Sequence, residues 1–470
     1  MFVARETELK KLNNRYQKNE TEFVIIYGRR RVGKTALINE FVKDKPVIYF
    51  SAINANARNN LEMLSKAIYL YSNPDAVDHP VFSSFDTAFN EVGRLAKENR
   101  LVFVIDELPY LAKADESIIS RLQHLLDYQW KNTKLFFIVC GSSISFMEKE
   151  VLSEKSPLFG RRTGQFHIKP LDYYDSRKLN SGFSEETNAI IYGVTGGIPH
   201  YINKLNVTTT IKDALLENFF DTSSYLYEEP ENLLKQELRE PAVYNSIITA
   251  IANGATRLNE IAAKVSMETA NCLKYIKPLI ELGIIEKIEP IVNKNSRKVI
   301  YRVSDNFFRF WYRFVPNNIS IISADRMATI YDKAVESYLS DYMGHIFEKM
   351  CTQYLLRHLN SLPFVFSEIG TWWGTHSGLK KEVELDIVAI GAKENNTVGK
   401  EYLIGSCKYT GKEIGMDELE LIRNYSSAFV TNNDTCYYYI FSKAGFTPSL
   451  KEAAKRKEVV LVSLEDLYTD

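Results

Sequence analysis

The sequence predicts an α/β fold: a parallel sheet around a phosphate-cradling loop, then a helical module with a hairpin, then a second α/β unit. Three observations predict it. From Phe2 to about Ile202, apolar β-branched runs alternate with segments of helical spacing, as expected of strands buried on both faces of a parallel sheet. Residues 28–35 read Gly-Arg-Arg-Arg-Val-Gly-Lys-Thr, matching G-x-x-x-x-G-K-[ST] at every fixed position. From about Gly344 to Asp470 strand and helix patterns alternate again.

The elements follow in order. Arg5-Glu-Thr-Glu-Leu-Lys-Lys-Leu opens a first helix, and Glu22 to Tyr27 is a buried strand. The loop 28–35 leads into helical spacing of Leu37, Ile38 and Phe41. Further strands are expected at Lys45–Phe50, Leu101–Asp106, Leu135–Gly141 and Phe166–Leu171. Helices are expected from Tyr244 to Ala252, after Thr256, and from Glu268 to Leu282, the last stopped by Gly283. Ile284–Glu289 and Lys298–Val303 read as a hairpin across the polar tip Asn293–Arg297, so helices plus β-wing predict a winged helix-turn-helix. An aromatic stretch, Phe307 to Phe314, leads into a connector. Beyond it come a helix at Gly344–Leu359, strands at 383–390, 402–406, 436–441 and 459–462, and a helix near Glu418–Ser426. The expected domains are 1–205, 206–325 and 326–470.

The bulk numbers fit this plan. At 470 residues, several domains are expected. Hydrophobic residues at 45% and charged residues at 25% argue against long disorder. A formal net charge of -1 offers no global attraction for nucleic acid, so such binding needs a local patch. Five scattered Cys indicate neither a zinc site nor a disulfide framework. The charged N-terminus and the lack of a long apolar run predict a cytoplasmic protein with no membrane span.

The loop carries the sharpest chemistry. Gly28 and Gly33 let the backbone bend, so that N–H groups of residues 29 to 34 and the helix N-terminus point at phosphate oxygens. Arg29, Arg30 and Arg31 add positive potential, and Val32 is expected among the nucleotide-binding residues of the loop. Lys34 is expected at the β- and γ-phosphates of ATP, with Thr35 on Mg²⁺. A strand ending in Asp106-Glu107 completes the pattern, with Asp106 on the Mg²⁺ shell and Glu107 as general base. Ser142 or Ser143, ending the fourth strand, is expected at the γ-phosphate or lytic water. Arg161 and Arg162 are candidates for neutralising transition-state charge, in cis or in trans.

Gly28–Thr35, Val104–Glu107, Gly160-Arg-Arg-Thr-Gly164 and Gly196-Gly-Ile-Pro-His-Tyr201 together resemble the STAND-related ATPases of the AAA+ superfamily. More narrowly, they resemble the archaeal-ATPase group whose C-terminal region is called DUF234. The resemblance implies ATP rather than GTP, and places Pro199 beside the adenine. It also implies a nuclease-like C-terminal unit.

In that unit, Glu348 on a helix, Glu384 and Asp386 on a strand and Lys408 closing the next strand resemble a PD-(D/E)XK, restriction-endonuclease-like core. There carboxylates hold a metal and Lys activates water. Ser406 stands where that pattern needs Glu, so a degenerate site is the expectation. Lys274 and Lys277 on the third helix, with Lys294, Arg297 and Lys298 on the wing, offer phosphate contacts to DNA. The function expected is a Mg²⁺-dependent ATPase acting as a switch or machine on or near DNA. The alternatives are an ATP-regulated nuclease, or a nucleotide-gated scaffold or homo-oligomer that binds protein through residues 307–314.

Overall fold

The computed structural model describes residues 2–180, 182–205, 210–292, 298–393 and 399–469. The chain divides into two compact units, Met1–Pro170 with Ile198–His200, and Leu171–Gly197 with Tyr201–Asp470.

The first unit holds a five-stranded sheet. Its strands are β1 (Glu22–Tyr27), β2 (Val47–Ser51), β3 (Leu101–Asp106), β4 (Leu135–Gly141) and β5 (Gly164–His167), in the order β2-β3-β4-β1-β5. Every pairing is parallel. Every residue of β1, β3 and β4 is buried, which explains their unbroken apolar runs. Alternation splits these side chains between two cores. Phe23, Phe103 and Phe137 pack on one face with Trp130; Val24, Ile26 and Phe136 meet Leu37, Ile38 and Phe41 on the other.

The fifth strand begins two residues earlier and ends four residues earlier than the sequence suggests. Gly164 to His167 pair with Val24 to Tyr27, so the strand ends where β1 ends. Ile168 N–H still donates to Tyr27 O at 2.7 Å. Pro170 has no N–H to extend the ladder.

In the second unit, helices Pro241–Ala252, Leu258–Lys264 and Thr269–Glu281 precede an antiparallel pair, β6 (Ile285–Ile288) and β7 (Ile300–Val303). The expected tip, with Lys294 and Arg297, lies outside the described residues. Phe307 to Phe314 belong to the helix Asn306–Phe314, whose aromatic side chains are all buried within this unit. Burying each such ring contributes about 1.5–3 kcal/mol. Trp311 Nε1–H also donates to Tyr227 O at 2.8 Å. The segment therefore presents no exposed aromatic face to a partner.

A long helix, Ser337–Arg357, leads to a second five-stranded sheet. It comprises β8 (Glu368–His376), β9 (Lys381–Ala392), β10 (Lys400–Lys408), β11 (Thr435–Ser442) and β12 (Val460–Ser463). Strands β8, β9 and β10 are antiparallel, while β10, β11 and β12 are parallel. Helix Met416–Ser426 lies between β10 and β11 in the chain. Among the described residues no helix is long and apolar enough to cross a membrane.

Candidate functional site

Strand β1 stops at Gly28, and the chain turns there because no other residue fits. Gly28 has φ +148°, and a Cβ on it would lie 2.2 Å from Ile168 O. The turn delivers residues 29–33 beneath the helix Lys34–Val42, whose N-terminal cap is Gly33 at φ 94°. Arg5, from the start of the first helix, donates to Val32 O (3.2 Å) and Lys169 O (2.5 Å), bracing the loop from below.

Lys34 is 6% exposed, and its ammonium donates to Arg29 O at 3.0 Å. Burial pulls its pKa below the usual lysine range, opposed by Cys140, Glu107 and Asp106. Arg29 is buried at the loop, and Arg30 donates to Tyr110 OH at 2.7 Å.

Strand β3 ends beside this loop. Asp106 Oδ2 accepts from Thr35 Oγ1 (3.2 Å) and Tyr49 OH (2.8 Å), and Oδ1 accepts from Glu107 N–H (3.0 Å). Glu107 has a left-handed backbone at φ 55°, and Arg31 in the loop does too, at φ 71°. Such strain costs about 1–3 kcal/mol per non-glycine residue and persists where surrounding structure holds it. Glu107 is held from β4: Ser142 Oγ–H and N–H donate to its Oε2 at 2.9 and 3.3 Å. Buried Cys140 lies on the same strand, its thiol pushed well up by burial and by Asp106.

Pro199 joins the same unit, its Cγ 4.0 Å from the Cβ position of Gly33. The structure thus brings together the loop, Asp106, Glu107, Ser142 and Pro199. Ser143 precedes a short helix and makes no side-chain hydrogen bond in that cap. Arg161 grips Asp127 with both fork nitrogens, at 2.7 and 2.8 Å. Arg162 lies over the Phe159 ring at 5.8 Å. Among the described residues neither Arg side chain is hydrogen-bonded to the loop or to the carboxylates. Arg5, Tyr49 and Tyr110 were not anticipated: Arg5 and Tyr49 come from distant elements with no motif around them, and Tyr110, one turn after Glu107, belongs to no part of the motif itself.

The second unit carries the other set of candidates. Asp386 on β9 accepts from Cys407 N–H at 2.7 Å. Burial, then the charge of Glu348, raises its carboxyl to about 6. Glu348 on the long helix pairs with His345 at 3.1 Å, and Glu384 with Arg302 at 3.5 Å. Ser406 donates to Glu418 Oε1 at 2.7 Å, and Lys408 Nζ lies 3.3 Å from the same oxygen. Burial lowers the Lys408 pKa, but Asp386 and Glu418 outweigh it and hold the ammonium above its usual range. Glu418, from the helix after β10, therefore brings a carboxylate to the place where Ser406 lacks one. Among the described residues no group of three His, Cys, Asp or Glu is placed to hold a metal ion.

Comparison with known proteins matches these two halves separately. A family model for an ATPase domain predominantly from Archaea covers residues 2–205, and one for archaeal and bacterial proteins of unknown function, DUF234, covers 311–418. An uncharacterised protein of Methanocaldococcus jannaschii is 35% identical over 85% of this chain and 86% of its own length. The chain belongs to this archaeal ATPase family. An ATP-binding protein of Pyrococcus abyssi is 23% identical over 43% of this family member and 71% of its own length. A Walker-type ATPase of Pyrococcus abyssi superposes with a TM-score of 0.52, at 18% identity, covering 66% of this chain and 96% of that one. That likeness establishes the P-loop ATPase fold. The chain is an ATP-binding ATPase.

Proposed function

We propose that the chain is a Mg²⁺-dependent ATPase that works as a switch, with Glu107 as its general base. The observation carrying this reading is the Ser142–Glu107–Asp106–Thr35 arrangement beside the loop. Thr35 Oγ1 and Asp106 Oδ2 are hard oxygens 3.2 Å apart, a donor pair that suits Mg²⁺. When bound there, Mg²⁺ would supply positive charge to the phosphates. Tyr49 orients Asp106 for that role.

The remaining steps belong to the protein. Backbone N–H groups of the loop and the Lys34 ammonium neutralise the phosphates. Glu107 Oε2, fixed by Ser142, takes the proton of the attacking water. The water oxygen bonds the γ-phosphorus as the bridging oxygen leaves with ADP. Pro199 packs at the base, and Arg162, less firmly held than Arg161, is the better candidate for meeting developing charge. If the reading holds, Lys34→Ala abolishes the ATP-dependent rise in melting temperature. An unchanged rise would overturn the loop assignment.

The AAA+ and STAND-type reading adds action on or near DNA. Lys274 and Lys277 are exposed on the helix Thr269–Glu281, which favours phosphate contacts by that module. A specific observation also favours a second reading, an ATP-regulated nuclease. Glu418 meets Ser406 and Lys408, so Glu348, Asp386, Glu418 and Lys408 would form the site with Glu384 at its edge. Plasmid nicking in Mg²⁺ or Mn²⁺ that disappears in Lys408→Ala would support it; no nicking in either metal would leave a degenerate domain.

A further inference from the structure

Within the second unit, a cleft of about 200 Å³ opens between the end of helix Pro241–Ala252, strand β7, the aromatic helix and the long helix. Its walls include Thr256, Tyr301, Arg302, Arg309, Arg313 and His345. Arg309 and Arg313 sit one turn apart, on the same face of the aromatic helix. Arg302 comes from β7 and His345 from the long helix. We propose that this cleft is a phosphate-binding site, separate from the ATP loop.

The pairing of the three guanidinium groups leaves one without a carboxylate of its own. Arg302 pairs with Glu384 (3.5 Å), Arg313 with Asp341 (2.6 Å) and His345 with Glu348 (3.1 Å). The Arg309 guanidinium has neither a hydrogen-bond acceptor nor an ion-pair partner among the described residues. Its neighbours do not replace one: burial pulls its pKa down, Tyr342 and Glu348 offset this, and Arg302 and Arg313 lower it further. Arg309 is only partly buried, so its unpaired guanidinium stays open to an anion entering the cleft. Guanidinium forks match phosphate oxygens in pairs, and three converge here.

The size narrows the ligand. The volume is that of roughly six or seven waters, below the range of about 300–1,000 Å³ for drug-sized ligands. It suits one phosphate group rather than a whole nucleoside triphosphate. Such a group reaches the protein as a backbone phosphate of nucleic acid or as a free phosphate. Because Glu384 is the ion-pair partner of Arg302 and Glu348 is hydrogen-bonded to His345, phosphate in the cleft competes with these carboxylates. The proposal does not depend on either set being catalytic.

The test uses the full chain carrying Lys34→Ala, so that the loop does not contribute. Inorganic phosphate and a short single-stranded DNA are titrated separately by calorimetry, into this protein and into versions that also carry Arg309→Met or Arg313→Met. Loss of at least about tenfold in affinity for either probe in Arg309→Met is expected, that being the scale of one charged hydrogen bond. Loss for DNA alone identifies a backbone phosphate; loss for inorganic phosphate identifies a free one. Unchanged affinity for both probes, or no binding of either by the Lys34→Ala parent, overturns the site. Should Arg309→Met fail to fold, as judged by circular dichroism, Arg313→Met carries the same expectation and the same refutation.

Discussion

Replacing Gly28 by Ala tests whether the loop works through its close approach to the strand beside it. The new Cβ would stand 2.2 Å from Ile168 O and 3.2 Å from Ile168 C. Restoring tolerable contact requires the loop entrance and Ile168 to separate by roughly 1 Å, since Cβ atoms essentially never come nearer than 3.0 Å to another heavy atom. That separation strains the buried hydrogen bond from Ile168 N–H to Tyr27 O, now 2.7 Å. Losing such a bond costs about 1–3 kcal/mol, and the positive φ adds about 1–3 kcal/mol of backbone strain. The expected destabilisation is therefore about 2–6 kcal/mol, read as the midpoint shift in urea unfolding. A displacement of about 1 Å in phosphate-binding groups is expected to lower ATP turnover by about 10²-fold. Gly160→Ala is the control for space: its φ is also positive, at 76° rather than 148°, but nothing lies within 4 Å of its Cβ position. It should cost strain alone and leave turnover near wild type. If Gly28→Ala matches Gly160→Ala in both assays, the steric argument is refuted.

Two other outcomes follow from the same geometry. Ser142→Ala removes the 2.9 Å hydroxyl bond to Glu107 and keeps the backbone one; kcat should fall about tenfold with KM little changed, and an unchanged kcat would show that Ser142 does not position the base. Asp386 titrates near 6 in the fold, against about 3.9 for a free carboxyl. Its contribution is thus fully present below the unfolded value and lost as pH rises through 6, an amount of about 3 kcal/mol. In EDTA, Asp386→Asn should melt above wild type at pH 8, with the gap closing towards pH 4; a gap independent of pH would contradict the assignment.

The parts visible in sequence are those whose chemistry is contiguous. Gly28 to Thr35 lie in one stretch, and Asp106-Glu107 end a run of uniformly buried residues, so strand, loop and carboxylates could be read directly. The hold of Ser142 on Glu107 spans 35 positions and depends on β3 lying beside β4. Arg5 reaches Lys169 across 164 positions. No local pattern encodes either. Glu418 sits on an amphipathic helix among other acidic residues, and only the packing of that helix on β10 singles it out. Strand β8 escaped notice because a register shift between Gly370 and Trp372 breaks its alternation. Helix Pro448–Lys455 is short, and its Pro at the first turn reads equally as a loop signal.

The central claim is that Glu107 takes the proton of the water that cleaves ATP. Its most direct test is single-turnover hydrolysis of bound ATP in Mg²⁺ by the wild-type chain and by Glu107→Gln, with ATP affinity measured in parallel. The account predicts equal affinity and cleavage slower by about 10²-fold or more in Glu107→Gln. Cleavage at the wild-type rate by that variant would contradict it.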